Sequence, residues 1–307
     1  MAITLTQLRT ATYGILRETE SCAAYPYTLV DWFINSAQLR YCSGLLTNPF
    51  NGQIVQKGKL PFLKKDAYFS NVAPTYTTAD VAVGATTIPA TTTWYASAWA
   101  LFINWNTVTY TGVTSTSFTW CSNVLFAFIW WTEISQAFTV PTDFMSPIQM
   151  IYNSQFKLNC MNYDDIYENL KQYSGNYLTE YWTSLGLNYS TVGSPFYTIK
   201  DGAYIIIFNI NQTLGQLHLR YEKKPTTLTA TSDTLTIDND IYGLNIISQY
   251  AAAEMLYHRW EEARASQMIN FVISQAKESY RYYDNIGYET QSWIRFSVGK
   301  SGRILNI

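Results

Sequence analysis

The sequence predicts an α+β protein, in which a helical core drawn from both ends of the chain carries β-hairpins and an inserted small all-β barrel or sandwich module. Three observations predict it. Apolar residues recur at helical spacing from Leu5 to Leu45 and again from Leu244 to Tyr280. Between Thr75 and Thr142 charge almost disappears, and Thr, Ser, Val and aromatic residues, which suit pleated surfaces, take over. Asp201-Gly202 stands between two β-rich runs, a strong short-range hairpin signal. The expected divisions are 1–74 and 143–285 for the helical core, 75–142 for the inserted module and 286–307 for a C-terminal tail. A chain of 307 residues is long enough to bury one large core or two modest ones.

Each element has its own local reason. Leu5, Leu8, Thr12 and Ile15 form one stripe, and Leu29, Phe33, Ala37 and Tyr41 a second, with "AYPY" breaking the two. Thr4 followed by Gln7 is a capping-box pattern, and Gly44 is a helix stop. The turn-rich "NPFNGQIVQKGKLPF" reads as a short excursion or hairpin. "ALFINWNTVTYTGVTSTSFTWC" alternates along Leu101, Ile103 and Trp105, then along Val108 and Tyr110, and breaks at Gly112. "NYDDIYENLKQY" (162–173) reads as a short polar helix, with Asp164 and Asp165 where the helix dipole favours carboxylates.

"FYTIKDGAYIIIFNI" is expected to fold as a hairpin with "QLHLRYEKKP" pairing beside it, Leu217, Leu219 and Tyr221 facing one way and His218, Arg220 and Glu222 the other. Asp238 and Asp240 are helix-start candidates. Beyond them Leu244, Ile247, Ala251 and Met255 form one helical face, and Ile269, Val272, Ala276 and Tyr280 another that ends near Gly287. Within "AAAEMLYHRWEEARASQM" (251–268), Glu261 with Arg264 and Arg259 with Glu262 are three apart, within reach along a helix. These charges read either as a solvated face or as groups that set register between neighbouring subunits.

Composition excludes some functions. Charged residues are 14% and the formal net charge is −2, so no basic field exists to grip nucleic acid through its phosphates. Aromatic content is 16%, with 25 Tyr and 10 Trp, which favours broad contact surfaces. The N-terminal stretch has no continuous apolar core of the signal-peptide kind, so the chain is expected to stay where it is made. The longest apolar run, Asn123 to Trp131, falls far short of the ~20 residues of a membrane span, and a buried strand or a contact surface explains it better. No membrane partner and no cofactor are expected. Cys22, Cys42, Cys121 and Cys160 are widely spaced and are expected to be small buried hydrophobes, and with His218 and His258 as the two histidines, zinc-ligand spacing is absent.

Catalytic constellations are thin. "VGKSG" (298–302) is a fragment of a phosphate loop without the upstream glycine or the following helix. Adjacent Asp164 and Asp165 point different ways on a helix and fit a capping role, and "GSP" at Gly193 lacks the GxSxG of a nucleophile elbow. His218 and His258 read as surface or interface histidines. The expectation is that the protein is not an enzyme.

Three stretches resemble the head-to-tail adaptor (connector) proteins of tailed bacteriophages: the N-terminal pair "TLTQLRTATYGILRETESCAAYPYTLVDWFINSAQLRYCSGLL"; "FTVPTDFMSPIQMIYNSQFKLNCMNYDDIYENL" leading to "PFYTIKDGAYIIIFNINQTLGQLHLRYEKKPTTLTATSDTLTID"; and "DNDIYGLNIISQYAAAEMLYHRWEEARASQMINFVISQAKESYRYY". The inserted module is similar to small β modules of phage structural proteins, with Trp120 standing where glycine is usual and Trp99 and Trp105 adding bulk.

The resemblance implies a helical adaptor core and a ring, dodecameric in form, between portal protein and tail. Such a ring is assembled in the host cytoplasm, extends the channel, helps retain packaged DNA and docks the next tail or nozzle protein. DNA would pass through without specific binding. Neighbouring subunits would meet through His258, Arg259, Glu261, Glu262 and Arg264. The tail would dock on the portal through Trp293, Ile294, Arg295, Phe296, Val298 and Ile304, as an added strand whose residues alternate from Trp293 to Val298. Trp94, Trp99, Trp105 and Trp120 would contact a neighbouring protein. Competing readings are another tail or baseplate subunit, a glycan-binding virion protein using the Trp and Tyr of 94–131, and an enzyme whose site is assembled from distant residues.

Overall fold

The computed structural model describes residues 2–20, 22–52, 54, 60–72, 74–92, 94–95, 99–103, 106–154, 156–164, 196–208, 214–237 and 240–296; of 99, 156, 208, 214, 240–241 and 285–296 it describes the backbone alone. The fold is α+β. The chain divides into two compact units, Met1–Lys65 with Glu222–Ile307, and Asp66–Tyr221.

The first unit holds four α-helices: α1 (Leu5–Leu16), α2 (Tyr27–Ser43), α3 (Asp240–His258) and α4 (Glu262–Phe296). The expected capping box is present, with the Gln7 amide donating to Thr4 Oγ1 and the Thr4 amide to Gln7 Oε1. Both stripes are buried at most positions, though Val30 and Ile34 take the inward place expected of Leu29, which stays exposed. Arg9 clamps Asp31 through two hydrogen bonds, 2.7 and 2.6 Å, joining α1 to α2.

α3 packs against α1, α2 and α4. Ala251, Ala252 and Ala253 are all fully buried, so the triplet that reads as helix propensity also lets neighbouring helices approach closely. The α4 stripe Ile269, Val272, Ala276 and Tyr280 is buried as the spacing predicts. The extended segment 224–237 is tied down by amide side chains of α2. Asn35 Nδ2 donates to the Leu228 carbonyl and its Oδ1 accepts the Leu228 amide, while Gln38 Nε2 donates to the Thr226 carbonyl and its Oε1 accepts the Thr236 amide. These bonds satisfy backbone groups that have no ladder partner.

The second unit is built on a ten-stranded sheet. Its strands are β1 (Lys64–Val72), β2 (Thr75–Tyr76), β4 (Trp99–Ile103), β5 (Asn106–Tyr110), β8 (Glu133–Thr139), β9 (Phe144–Tyr152), β10 (Phe156–Cys160), β11 (Phe196–Lys200), β12 (Tyr204–Phe208) and β13 (Leu214–Lys223). Their order is β1-β13-β9-β10-β11-β12-β8-β4-β5, with β2 also on β8. A three-stranded sheet, β3-β7-β6, is made of β3 (Thr87–Pro89), β6 (Gly112–Thr114) and β7 (Ser117–Thr119).

The β11–β12 hairpin forms where Asp201-Gly202 predicts. Both residues are left-handed, φ 53° and 64°, and the Ala203 amide closes the turn on the Lys200 carbonyl at 3.0 Å. The sequence suggests that β13 pairs with this hairpin, but β13 lies instead between β1 and β9. Its faces are as expected, with Leu217, Leu219 and Tyr221 buried.

The segment 75–142 is not closed on itself. β8 pairs along one edge with β4, while its other edge is shared between β2 at Ile134 and β12 at Ala137–Thr139. Ile134 therefore belongs to a core with Val81, Ile88, Leu101, Val108, Phe118 and Phe128, whereas Phe138 belongs to one with Met150, Leu158, Ile205 and Leu219. A β edge already paired has no barrel seam to close.

On the solvent side of β13, Asp66 Oδ1 meets His218 Nε2 at 2.6 Å and accepts from Arg220 Nε at 3.1 Å, and the Tyr68 ring stacks on His218. Desolvation pushes the Asp66 carboxyl up, but the bonds from His218 and Arg220 together outweigh it and hold it below its ordinary value. A depressed carboxyl contributes stability that is present above the unfolded value, near pH 4, and is lost as pH falls through the folded one. Asp66→Asn is therefore expected to flatten the acid limb of a urea-midpoint against pH profile below about pH 4. The change is small because the site is open to solvent.

Two of the four cysteines differ from expectation. Cys42 and Cys121 are buried, but Cys22 is half-buried and Cys160 exposed, all as free thiols. Burial pushes the Cys121 thiol up to about 11, so it is inert near neutral pH. Among the described residues no helix is long and apolar enough to cross a membrane, and no group of three or more His, Cys, Asp or Glu is gathered to hold a metal ion.

Candidate functional site

The charge-dense stretch 251–268 is not one helix. α3 stops at His258, and α4 begins at Glu262. The break is a Schellman turn: the Glu261 amide donates to the Leu256 carbonyl and the Trp260 amide to the Tyr257 carbonyl, with Trp260 left-handed at φ 67°. α1 and α2 end the same way, on Arg17 and on Gly44. The sequence signals the α2 end through its glycine. A tryptophan carries no such signal, which is why the α3–α4 break was illegible.

The turn sets the partners of the charges around it. Arg264 pairs with Glu261 at 3.5 Å, as its spacing predicts, and also donates to the Ile15 carbonyl at the C-terminus of α1, 2.7 Å. Arg259 does not reach Glu262; its guanidinium lies over the Tyr25 ring at 4.2 Å. Burial raises the Tyr25 phenol despite that cation. His258 sits beside Phe33, ring centroids 5.6 Å apart.

These side chains border a groove of about 400 Å³ lined by Tyr25, Leu29, Trp32, Phe33, Met255 and His258. Trp32 and Trp260 are exposed at its side of the unit, Trp260 by 85%. Residues 257–263 are all exposed. The arrangement offers aromatic area with a rim of both charge signs, the composition of a protein-contact surface. It presents no nucleophile paired with a base.

Trp260 holds a backbone conformation that costs a non-glycine residue about 1–2 kcal/mol. Trp260→Gly is expected to raise stability by about 1 kcal/mol in urea denaturation, since the indole makes little contact with its own chain. A loss of stability would show instead that the ring is held by its own unit.

The remaining expected site residues fall elsewhere. Trp94 and Trp120 are both exposed in the second unit. Trp120 is left-handed at φ 55°, a conformation that glycine adopts without cost. Trp99 lies on β4 opposite Tyr110 of β5. Trp105 lies outside the described residues. The tail is not a strand where one is expected: Trp293, Ile294, Arg295 and Phe296 are the last residues of α4. Val298 and Ile304 lie outside the described residues, as do Asp165, Gly193 and "VGKSG". Asp164 is described, and its amide donates to Asn162 Oδ1.

Sequence reasoning missed Trp32, Trp260 and the groove, because an exposed aromatic on a helix or in a turn carries no periodic signature. Of the two readings of Asn123–Trp131, the buried strand does not hold: Leu125, Phe126, Ile129, Trp130 and Trp131 are exposed, while Val124 and Phe128 turn inward. No protein-family model matches the chain, and no curated protein matches it.

Proposed function

We propose that this protein is a structural subunit of a tailed-bacteriophage particle, one of a ring of about a dozen copies seated between portal and tail. The ring extends the DNA channel, retains packaged DNA and receives the next tail component. The observation that carries this reading is the composition of the helical unit. Residues 1–65 and 222–307, which hold the first and last stretches with the adaptor likeness, come from opposite ends of the chain and fold into one compact body. That body exposes the groove and turn of residues 257–264, a contact face suited to a neighbouring copy. The near-neutral net charge of −2 suits a channel that passes DNA without holding it, because each neutralised phosphate adds affinity.

In this reading the subunit contact centres on His258, Arg259, Glu261, Glu262 and Arg264 with Trp260 and Trp32, and portal docking uses the end of α4 from Trp293 to Phe296. Docking there is by a helix, in place of an added strand.

The test is the copy number in purified particles, by quantitative mass spectrometry. About a dozen copies in full virions and few or none in empty procapsids are expected for a ring added after packaging. Many more copies, or none, would overturn the adaptor reading.

A further inference from the structure

At the α3–α4 turn one exposed surface carries a cation and an anion that the chain itself does not pair. Arg259 and Glu262 have the spacing of an ion pair on a continuous helix, but the turn at Trp260 separates them. Among the described residues neither has an ion-pair partner, whereas the neighbouring Glu261 and Arg264 meet at 3.5 Å. The Arg259 guanidinium lies over the Tyr25 ring at 4.2 Å, and a stacked guanidinium keeps donors at its edge for a carboxylate.

The same surface has a projection and a recess. Trp260 is 85% exposed on a left-handed turn that glycine would form without strain, so its indole is held outward at a cost its own unit does not recover. Close by in sequence and on the same unit, the groove of about 400 Å³ has apolar walls from Leu29, Trp32, Phe33 and Met255, with Arg259 at its edge. A second copy of this chain supplies the complement of each feature: a ring for the groove, a carboxylate for the guanidinium, and the reverse. The area is also sufficient. A large aromatic side chain buries about 150–250 Å², so Trp32 and Trp260 from each of two copies supply roughly 600–1,000 Å². A specific interface needs about 1,000 Å², and Leu29 and Tyr257, each 38% exposed, add to the sum.

We propose that two copies of this chain interlock here: Trp260 of one fills the groove of the other, and Glu262 of the first pairs with Arg259 of the second. The ion pair that the sequence spacing suggests within one helix is thus made between chains. The indole anchors the contact in a desolvated pocket, and the charged pair at the rim sets its register. This deepens the subunit contact proposed above and rests on residues 257–264 serving as one.

The test is sedimentation velocity of the full chain at rising concentration, beside three variants. The full chain should self-associate. Trp260→Gly should weaken association at least about thirtyfold, and because glycine relieves the turn, that loss is not a loss of fold. Arg259→Glu and Glu262→Arg, both at exposed positions, should each weaken it about tenfold. An equimolar mixture of these two should associate as the parent does, since each then finds its complement in the other. A full chain that stays monomeric throughout would overturn the inference, and so would charge variants that the mixture does not rescue. Variants that associate like the parent would overturn it too, while leaving the ring to another contact. Association that stops at two copies and is lost in Trp260→Gly would uphold the interlock and count against the ring.

Discussion

Tyr41→Ala is expected to lower the stability of the helical unit by about 4 kcal/mol, a large loss against the ~5–15 kcal/mol that holds a folded domain together. Tyr41 on α2 is fully buried and stacks on Tyr280 of α4, centroids 5.0 Å apart and planes within 16°. Its hydroxyl and Ser279 Oγ share a bond of 2.5 Å, and the Tyr280 hydroxyl donates to the Tyr41 carbonyl at 2.5 Å. Burial pushes the Tyr280 phenol far up, so it stays a donor at any ordinary pH.

Truncation removes the aromatic volume, opens a cavity and strands Ser279. Tyr41→Phe keeps the volume and leaves Ser279 without that partner, at a cost of about 1–2 kcal/mol that Ser279→Ala should largely restore. The measurement is urea denaturation followed by circular dichroism at the helix band. Helices α1 to α4 lie in this unit, so the signal reports chiefly on it. An Ala variant as stable as the parent would mean that α2 and α4 are held together elsewhere.

The second large effect lies in the sheet unit. Gly215 of β13 has no side chain, and the Tyr152 ring of β9 occupies that space: a Cβ at 215 would lie 2.1 Å from Tyr152 Cε2 and 2.4 Å from its hydroxyl oxygen. Gly215→Ala is expected to cost about 3 kcal/mol, because ring and strand are both hemmed in and Tyr152 is buried. In a Tyr152→Val background the sign should reverse. Glycine inside a strand is otherwise about 0.5–1 kcal/mol worse than alanine, so the same substitution should become neutral or mildly stabilising. A double-mutant cycle in urea measures the coupling. Equal costs in both backgrounds would show that the ring is not what the glycine accommodates.

The sequence was most legible where the determinant is local. The Thr4–Gln7 box, the Gly44 stop, the stripes of α3 and α4 and the Asp201-Gly202 turn are each read within a few residues, and each is present. Legibility failed where a turn uses residues without a propensity signal. Trp260 breaks a run that is otherwise helical on both sides, and Asn153-Ser154 turns β9 into β10 with both residues left-handed, a hairpin that no Asn-Gly or Asp-Gly pair announces. It failed again in the tail, where alternation from Trp293 suggests a strand but the backbone of α4 stays helical to Phe296. A short alternating run is weak when a long helix already propagates into it.

The contact surfaces divide along the same line. The aromatic richness of the chain pointed to interfaces, and the charges of 258–264 pointed to one place. Which aromatics are exposed was decided by packing. Phe118 and Phe128 are enclosed in a core, while Phe126, Trp130 and Trp131, nearly their neighbours in sequence, are left outside. By itself the sequence determined the helical stripes, the Thr4 and Gly44 caps, one hairpin and the absence of a basic field, since these follow from propensity, periodicity and charge within short windows. Only the tertiary structure decided that β13 sits between β1 and β9, that β8 joins two cores, and that between Leu125 and Trp131 Phe128 turns into a core while its neighbours face outward. Strand order and exposure are set by pairings between residues far apart in sequence, whose free energy exists only once the distant partner has arrived.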